Sequence, residues 1–246
     1  MLTIIQFLTF GILAWRRKKS GNDYIKFQKF QADEIIKELS CKGVNINCGK
    51  FLELGCGEGG YSKRFSKYID DFSVADIRVP QKLLESNPNI NFLSFDFEKD
   101  FPIKDKTFDM VFSASVIEHI KERKHFLGEI NRILKDSGTL ILTFPPFYTP
   151  VGGHIFKPFH YFGEKLACKL TSYFKNHTAN SYGTAYGSWG LYILKLSDVE
   201  KLITISGFKI KKEWVRYSPI NFTKIPFLRE VLSWQVHFLC EKSRKS

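Results

Sequence analysis

One stretch constrains this chain more than any other: Phe51-Leu52-Glu53-Leu54-Gly55-Cys56-Gly57-Glu58-Gly59-Gly60, a short apolar run that ends in four glycines within six positions. Lys50–Leu54 reads as a strand. Glycines directly after a strand let the backbone turn tightly and approach a ligand with no Cβ in the way. A merely structural turn does not need so many. Gly55-x-Gly57-x-x-Gly60 also satisfies the dinucleotide fingerprint, so the glycines alone do not choose the ligand. Glu53 separates the readings. A carboxylate on the strand, two residues before the first glycine, repels a pyrophosphate and attracts a cation that carries an amino group.

Beyond the loop, helical and strand patterns alternate. Tyr61–Tyr68 reads as a helix, Phe72–Ala75 and Ile90–Phe95 as strands two and three, and Phe108–Ala114 as strand four. Lys121–Leu134 is an amphipathic helix and Thr139–Phe144 a fifth strand. Such alternation with short connections predicts a parallel sheet covered on both faces. Strand two ends in Ala75-Asp76 and strand three runs into Asp96-Phe97. An acid about 20 residues past a glycine loop accepts ribose hydroxyls, and an acid beside an aromatic can read and stack on a base. Singly these are equally loop acids and a core Phe. Open α/β sheets bind ligands at the carboxyl ends of their strands, and there Glu53, Asp76 and Asp96 together describe a positively charged nucleoside without phosphates.

The flanks are less regular. Leu2–Trp15 is mostly apolar and runs into Arg16-Arg17-Lys18-Lys19. It is too short for a spanning helix and lacks the charge order and cleavage site of a secretory signal. It reads either as an interfacial helix whose cations face anionic lipid or as a helix packed on the domain. Asp23–Leu39 shows apolar residues at helical spacing. After Pro145-Pro146 regularity is lost for some fifty residues, until about Ser197. A segment that long is more often functional than idle. Ser197–Ser206 reads as a helix capped by Ser197, Phe208–Arg216 as a strand and Phe227–Cys240 as an amphipathic helix. The organisation expected is one domain with elaborations: a helical extension over 1–40 and a main domain over 41–246, with an insertion at about 146–196 that covers the acceptor.

The runs FLELGCGEGG, VADIR, FLSFDFEKD, FDMVFSASVIEHI and FLGEINRILKDSGTLILTFPPF, in that order, resemble the class I S-adenosylmethionine-dependent methyltransferases, in particular the broad type 11 subgroup. The resemblance spans roughly Lys50 to Phe147. It implies an α/β, Rossmann-like, doubly wound and mostly parallel sheet of seven strands, and S-adenosylmethionine as cofactor. By the resemblance, Glu53, Gly55 and Gly57 line the methionine end, with Cys56 between them. Asp76 takes the ribose with Ile77 beside it, Asp96 and Phe97 take the adenine, and Ser113 lies by the sulfonium methyl. Phe144-Pro145-Pro146-Phe147 resembles the box of amino-methylating enzymes. That box closes strand four, whereas here it ends strand five, so methylation of a base nitrogen is rejected.

Methyl transfer from a sulfonium is an in-line displacement in which alignment of the acceptor dominates. An oxygen acceptor also benefits from a general base. The candidates are Glu118 and His119 after strand four, and His154, which follows Gly152-Gly153. His160 carries a weaker claim, and all of these residues have a bland reading as loop hydrogen-bonders. Aromatics from Tyr148 to Tyr192 suit a sugar or a lipid, and equally a second small core. Five cysteines show no C-x-x-C pair or metal-ligand spacing. Free thiols in a reducing compartment and no metal are therefore expected.

Apolar residues at 43% and charged residues at 25% exclude wholesale disorder and a multispanning membrane protein. The net charge of +12 bears on partners rather than fold. Seven of the basic residues lie in Arg16–Lys19 and Lys242–Lys245, away from the strand-rich middle, which suits an anionic membrane surface met through residues 1–20 better than nucleic acid. The expectation is a cytoplasmic methyltransferase, peripheral on the inner face of a membrane, that O-methylates a small or lipid-linked acceptor such as a sugar of a cell-envelope glycan. The alternatives are an RNA methyltransferase and a non-catalytic binding protein on the same fold.

Overall fold

The computed structural model describes residues 12–13, 21–47, 49–187, 189–216 and 220–243. Seven strands form one sheet in the order β3-β2-β1-β4-β5-β7-β6. They are β1 (Lys50–Leu54), β2 (Asp71–Asp76), β3 (Asn91–Ser94), β4 (Phe108–Ala114), β5 (Leu134–Phe144), β6 (Phe208–Arg216) and β7 (Gln235–Lys242). β1 pairs in parallel with β2 and with β4, β2 pairs in parallel with β3, and β6 and β7 are antiparallel. The helices are α1 (Gly21–Cys41), α2 (Ser62–Phe65), α3 (Gln81–Ser86), α4 (Arg123–Ile133), α5 (Glu164–Lys175), α6 (Leu196–Ile205) and α7 (Arg229–Leu232). The result is an α/β mixed sheet with the reversal of strand order beside β1, between β2 and β4.

Contacts divide the chain into two compact units. One comprises the described residues up to Ser113 with Arg132–Leu140, the other Ala114–Asn131 with the described residues from Ile141 on. The chain has 24 phenylalanines, and in the first unit several of them build the core. Phe51 packs on Phe65 and Phe72, each at 5.6 Å between ring centroids, and Phe65 meets Phe112 edge-on at 5.0 Å. Each such ring, fully buried, contributes about 1.5–3 kcal/mol. Within the same unit Arg132 donates from its guanidinium to the Phe101 and Ile103 carbonyls and to Asp105.

The second unit holds its own small core after β5. Phe147, Phe156, Ala167, Cys168, Tyr182, Ala185 and Leu191 bury together, with Tyr148, Ile155, Phe159 and Tyr186 packed against them. The stretch expected to lack regular structure therefore contains α5, whose Ala167, Cys168 and Thr171 face inward.

Phe227–Cys240 is not a helix: only Arg229–Leu232 is helical, and Gln235–Lys242 is β7, paired with β6 from Gln235↔Arg216 to Lys242↔Phe208. Its first six residues are all buried, so the period-2 alternation that would betray a strand is erased and a short apolar run does not distinguish the two structures. Nor does Ser197 cap α6. The Glu230 carboxylate accepts from the Leu196 and Ser197 amides at 2.7 and 3.1 Å, supplying from another segment what a cap residue would. β5 begins at Leu134, directly where α4 stops, and α3 lies between β2 and β3 where no element was expected.

The apolar segment over residues 2–15, with its basic cluster, lies outside the described residues apart from positions 12 and 13. Among the described residues no helix is long and apolar enough to cross a membrane. Of the described cysteines, Cys41 is exposed and Cys56, Cys168 and Cys240 are buried, all as free thiols.

Candidate functional site

The glycine loop is placed by strand register. Leu54 pairs with both Ala75 and Ser113, and Asp76 pairs with Ser94, so Gly55, Asp76, Ser113 and Asp96 all emerge at the carboxyl edge of neighbouring strands. Gly55, Gly57 and Gly59 have φ of +79°, +51° and +74°, a region that side chains disfavour. A Cβ on Gly57 would meet nothing within 4 Å, so the loop there borders open space.

The amides of the loop glycines decide between the two ligand classes. Gly55 and Cys56 donate to the Ala75 carbonyl at 2.8 and 3.3 Å, and Gly59 donates to the Cys56 carbonyl at 2.8 Å. Gly57 donates to Asp76 Oδ2 at 2.9 Å, and Gly60 to Gln28 Oε1 at 3.2 Å. A phosphate site needs such amides aimed at the ligand from the start of a helix, and α2 is a single turn. The dinucleotide reading fails on this count.

Glu53 is 1% exposed and accepts from Ser62 Oγ at 2.7 Å. Burial pushes its carboxyl up to about 8; the nearby Asp76 charge adds to this and the Ser62 bond opposes it. Burial likewise raises the Cys56 thiol, with help from Glu53 and Asp76, so this thiol is inert. Ser113 is fully buried and its Oγ has no hydrogen-bond partner. These features fit a cationic nucleoside: a buried acid, Glu53, near the half-buried Asp76, an orphaned hydroxyl, and space where a Cβ would stand. Ile77 is 63% exposed beside them. Asp96 and Phe97 belong to the turn after β3. Asp96 accepts from the Glu98 amide at 3.0 Å, and the Phe97 ring packs on Phe95 and Phe101 at 5.3 and 6.0 Å.

Gln28 and Gln31, which sequence reasoning passed over, sit on the buried face of α1. Gln31 Oε1 accepts from the Tyr61 hydroxyl at 2.9 Å, and a Cβ on Gly60 would come within 2.3 Å of Gln28. α1 is thus built into the glycine loop. Buried glutamines among apolar helix positions carry no chemical signature that would have flagged them.

In the second unit Glu118, His119 and His154 come together, each offering one ligand-type atom within 4.8 Å of the others. Glu118 and His119 occupy a 3-10 turn, Ile117–His119, and His154 starts another, His154–Phe156. His154 Nε2 lies 3.6 Å from Glu118 Oε1. Glu118 is 2% exposed, and neither of its carboxylate oxygens has a hydrogen-bond partner. Burial raises its carboxyl to about 8, with smaller opposing pulls from its own amide, Arg123 and Ser115. His119 Nδ1 is 2.7 Å from the Gly190 carbonyl, which only accepts, so the proton sits on Nδ1. Burial lowers the pKa of this imidazole, favouring the neutral ring.

An aromatic wall stands over His119: Trp189 at 4.7 Å and Tyr186 at 5.6 Å, both edge-on, with Tyr186 and Trp189 stacked at 4.3 Å. His160 takes the bland reading. It is buried, with Nε2 3.2 Å from the Thr149 carbonyl and Phe147 against its ring. The 34 residues between His119 and His154 hid this cluster from any motif.

Comparisons with known proteins agree with this architecture. Residues 52–142 match the family model described as "Methyltransferase domain". An uncharacterised protein of Methanocaldococcus jannaschii is 34% identical over 60% of this chain and 65% of its own length. Malonyl-[acyl-carrier protein] O-methyltransferase 1 of Ilyobacter polytropus is 31% identical over 51% of this chain and 47% of its own. The chain thus spans less than two thirds of the length of either relative. A crystal structure of an S-adenosylmethionine-dependent methyltransferase from Clostridium acetobutylicum superposes with a TM-score of 0.60 at 14% identity, covering 86% of this chain and 90% of that one, a likeness of fold.

Proposed function

We propose that this chain, whose residues 52–142 match a methyltransferase domain, is a class I S-adenosylmethionine-dependent methyltransferase with S-adenosylmethionine as cofactor, and that it transfers the methyl group to an oxygen of a small or lipid-linked acceptor, such as a sugar of a cell-envelope glycan. The observation that carries the oxygen assignment is the meeting of Glu118, His119 and His154. An amine acceptor deprotonates with little help near neutral pH, whereas a hydroxyl needs groups that lower the cost of losing its proton. The Ilyobacter relative, named as an O-methyltransferase, supports the same choice.

Bound in this site, S-adenosylmethionine supplies a methyl carbon on a sulfonium that departs with the bond's electrons on sulfur. The chain's part is positioning and electrostatics. Glu53 would face the cofactor's cationic methionine end, beside Gly55, Cys56 and Gly57. Asp76 would hold the ribose hydroxyls with Ile77 alongside, Asp96 and Phe97 would hold the adenine, and Ser113 would give its unpartnered hydroxyl to the same ligand. In this reading the catalytic domain runs over 41–246, and the insertion at about 146–196 covers the acceptor. Glu118, His119 and His154 receive the acceptor hydroxyl, and the Tyr186–Trp189 pair offers the flat apolar face that sugar rings stack on.

A lipid tail finds support in a separate patch: Phe162, Tyr173 and Phe174 are 63%, 79% and 64% exposed on and before α5, next to Lys175. Such aromatics with a basic rim suit a membrane interface. The test is incubation with methyl-labelled S-adenosylmethionine and separated glycan, lipid and RNA fractions. Label in glycan or lipid is expected. Label confined to RNA would replace the acceptor assignment, and absence of cofactor binding by calorimetry would overturn the enzyme reading itself.

A further inference from the structure

We infer that Glu118, His119 and His154 are the protein ligands of a divalent first-row transition cation, of the zinc or manganese kind, whose remaining coordination positions take the acceptor's oxygen. The acceptor half of this statement rests on the O-methyltransferase reading. The metal half stands on the cluster alone.

Glu118 gives the first reason. Its carboxylate is buried, both oxygens lack a hydrogen-bond partner, and its ion-pair neighbour is His154 at 3.6 Å. A buried carboxylate left unsatisfied is costly, and buried charges in proteins are paired or coordinate metals. His119 gives the second. Its Nδ1–H is fixed by the Gly190 carbonyl at 2.7 Å, which leaves the Nε2 lone pair on the neutral ring. A hydrogen bond from the far nitrogen to a carbonyl is how metal-bound histidines are oriented. The Tyr192 amide donates to the Glu118 backbone carbonyl at 2.9 Å, so the turn carrying both residues is braced from the same segment that supplies Gly190.

His154 gives the third. It holds φ of +46°, unusual for a residue with a Cβ. The two residues before it tolerate no side chain. A Cβ on Gly152 would fall 2.0 Å from the Pro146 carbonyl oxygen, and one on Gly153 would fall 2.3 Å from the His160 ring. The loop is therefore packed so as to bring this imidazole to Glu118.

Spacing and donor type name the ion. Ligands on one ion at about 2.0–2.2 Å stand roughly 3–3.5 Å apart, so the present separations of up to 4.8 Å close with side-chain rotation of an ångström or so. Two imidazoles and one carboxylate suit zinc, manganese, iron or cobalt, whereas magnesium and calcium prefer all-oxygen sets. Three protein ligands leave room for an oxygen from solvent or substrate. A cation there draws electron density from a bound hydroxyl, whose proton passes to solvent. The O–CH3 bond then forms as the S–CH3 bond breaks, its electron pair staying on sulfur.

The experiment uses the full chain, stripped with chelator and free of cofactor and acceptor, titrated with Zn2+, Mn2+ and Mg2+ by calorimetry, with elemental analysis after desalting. Co2+ is added as a spectroscopic probe. One equivalent of Zn2+ or Co2+ is expected, with Co2+ absorption in the visible and a higher Tm only with metal. Affinity should fall at least tenfold in Glu118→Gln, a near-isosteric change, and in His154→Ala. His125→Gln, on the helix after the cluster, should bind as the parent does. No bound equivalent, or one that survives both cluster substitutions, overturns the inference. Methyl transfer that persists in the stripped protein, with no metal bound, leaves the O-methyltransferase reading standing and removes the metal. Metal binding without any affinity for S-adenosylmethionine does the reverse.

Discussion

In the glycine-loop unit, Glu53, Gly57 and Asp76 lie within 24 consecutive residues, on the ends of two adjacent strands and the turn between them. In the other unit Glu118 and His154 are 36 positions apart, and each is held by a 3-10 turn rather than a strand. The first arrangement draws its precision from sheet register. The second draws it from collisions, Gly152 and Gly153 being the only residues that fit where they stand. A site on register is hard to move but easy to fill with the wrong side chain. A site on packed turns fails when any one of several contacts is lost.

The largest effect should come from filling the first site. Gly57→Arg puts a cationic side chain into open space beside Glu53. It should cut S-adenosylmethionine affinity at least a hundredfold, about 3 kcal/mol by calorimetry, with a modest fall in Tm from the strain of a side chain at φ +51°. An unchanged affinity would mean that the loop does not touch the cofactor. Next is the turn-built site. His154→Ala should lower kcat by about 10²–10³ and leave cofactor affinity within twofold, separating the two units in one measurement.

Third is the pH dependence of cofactor binding. Glu53 is held up at about 8 against an ordinary 4.5. The folded chain thus binds this proton more tightly than the unfolded one. Its contribution to stability is whole below 4.5 and is lost as pH rises toward 8. A cationic ligand favours the ionised carboxylate, so affinity should climb by up to about tenfold per pH unit through that window and level off above it. Glu53→Gln should flatten the profile, and a parent profile already flat would detach Glu53 from the ligand. The smallest effect belongs to a residue outside both sites. Glu230→Ala removes the acceptor for two α6 amides and should cost about 1 kcal/mol in unfolding experiments, with kcat unchanged.

The same contrast explains what could be read in advance. Glu53, Gly55, Gly57 and Asp76 were legible because a strand followed by glycines, and then by an acid at a fixed distance, is a local pattern with one structural meaning. Strands β1 and β4 appeared at their observed bounds for the same reason. Glu118, His119 and His154 were each visible as chemistry-bearing residues, but their meeting was not, since nothing local encodes how a 34-residue excursion returns. Gln28 escaped because its role lies in reaching the Gly60 amide from another element. β7 was mistaken for a helix because burial on both faces removes alternation. A competing period then carried more weight than the β-branched and aromatic content of Val236, His237 and Phe238.

The strand order holds one more lesson, about synthesis. β7 stands between β5 and β6 although it comes after both in the chain. During translation β6 emerges with its place in the sheet still vacant, and it stays unpaired until residues 235–242 follow. At about 5–20 residues per second this wait lasts on the order of a second or more, during which a nine-residue strand exposes its backbone edge. A chain cut short between Arg216 and Gln235 would carry β6 without its partner strand, leaving an edge suited to pair with a neighbour's strand.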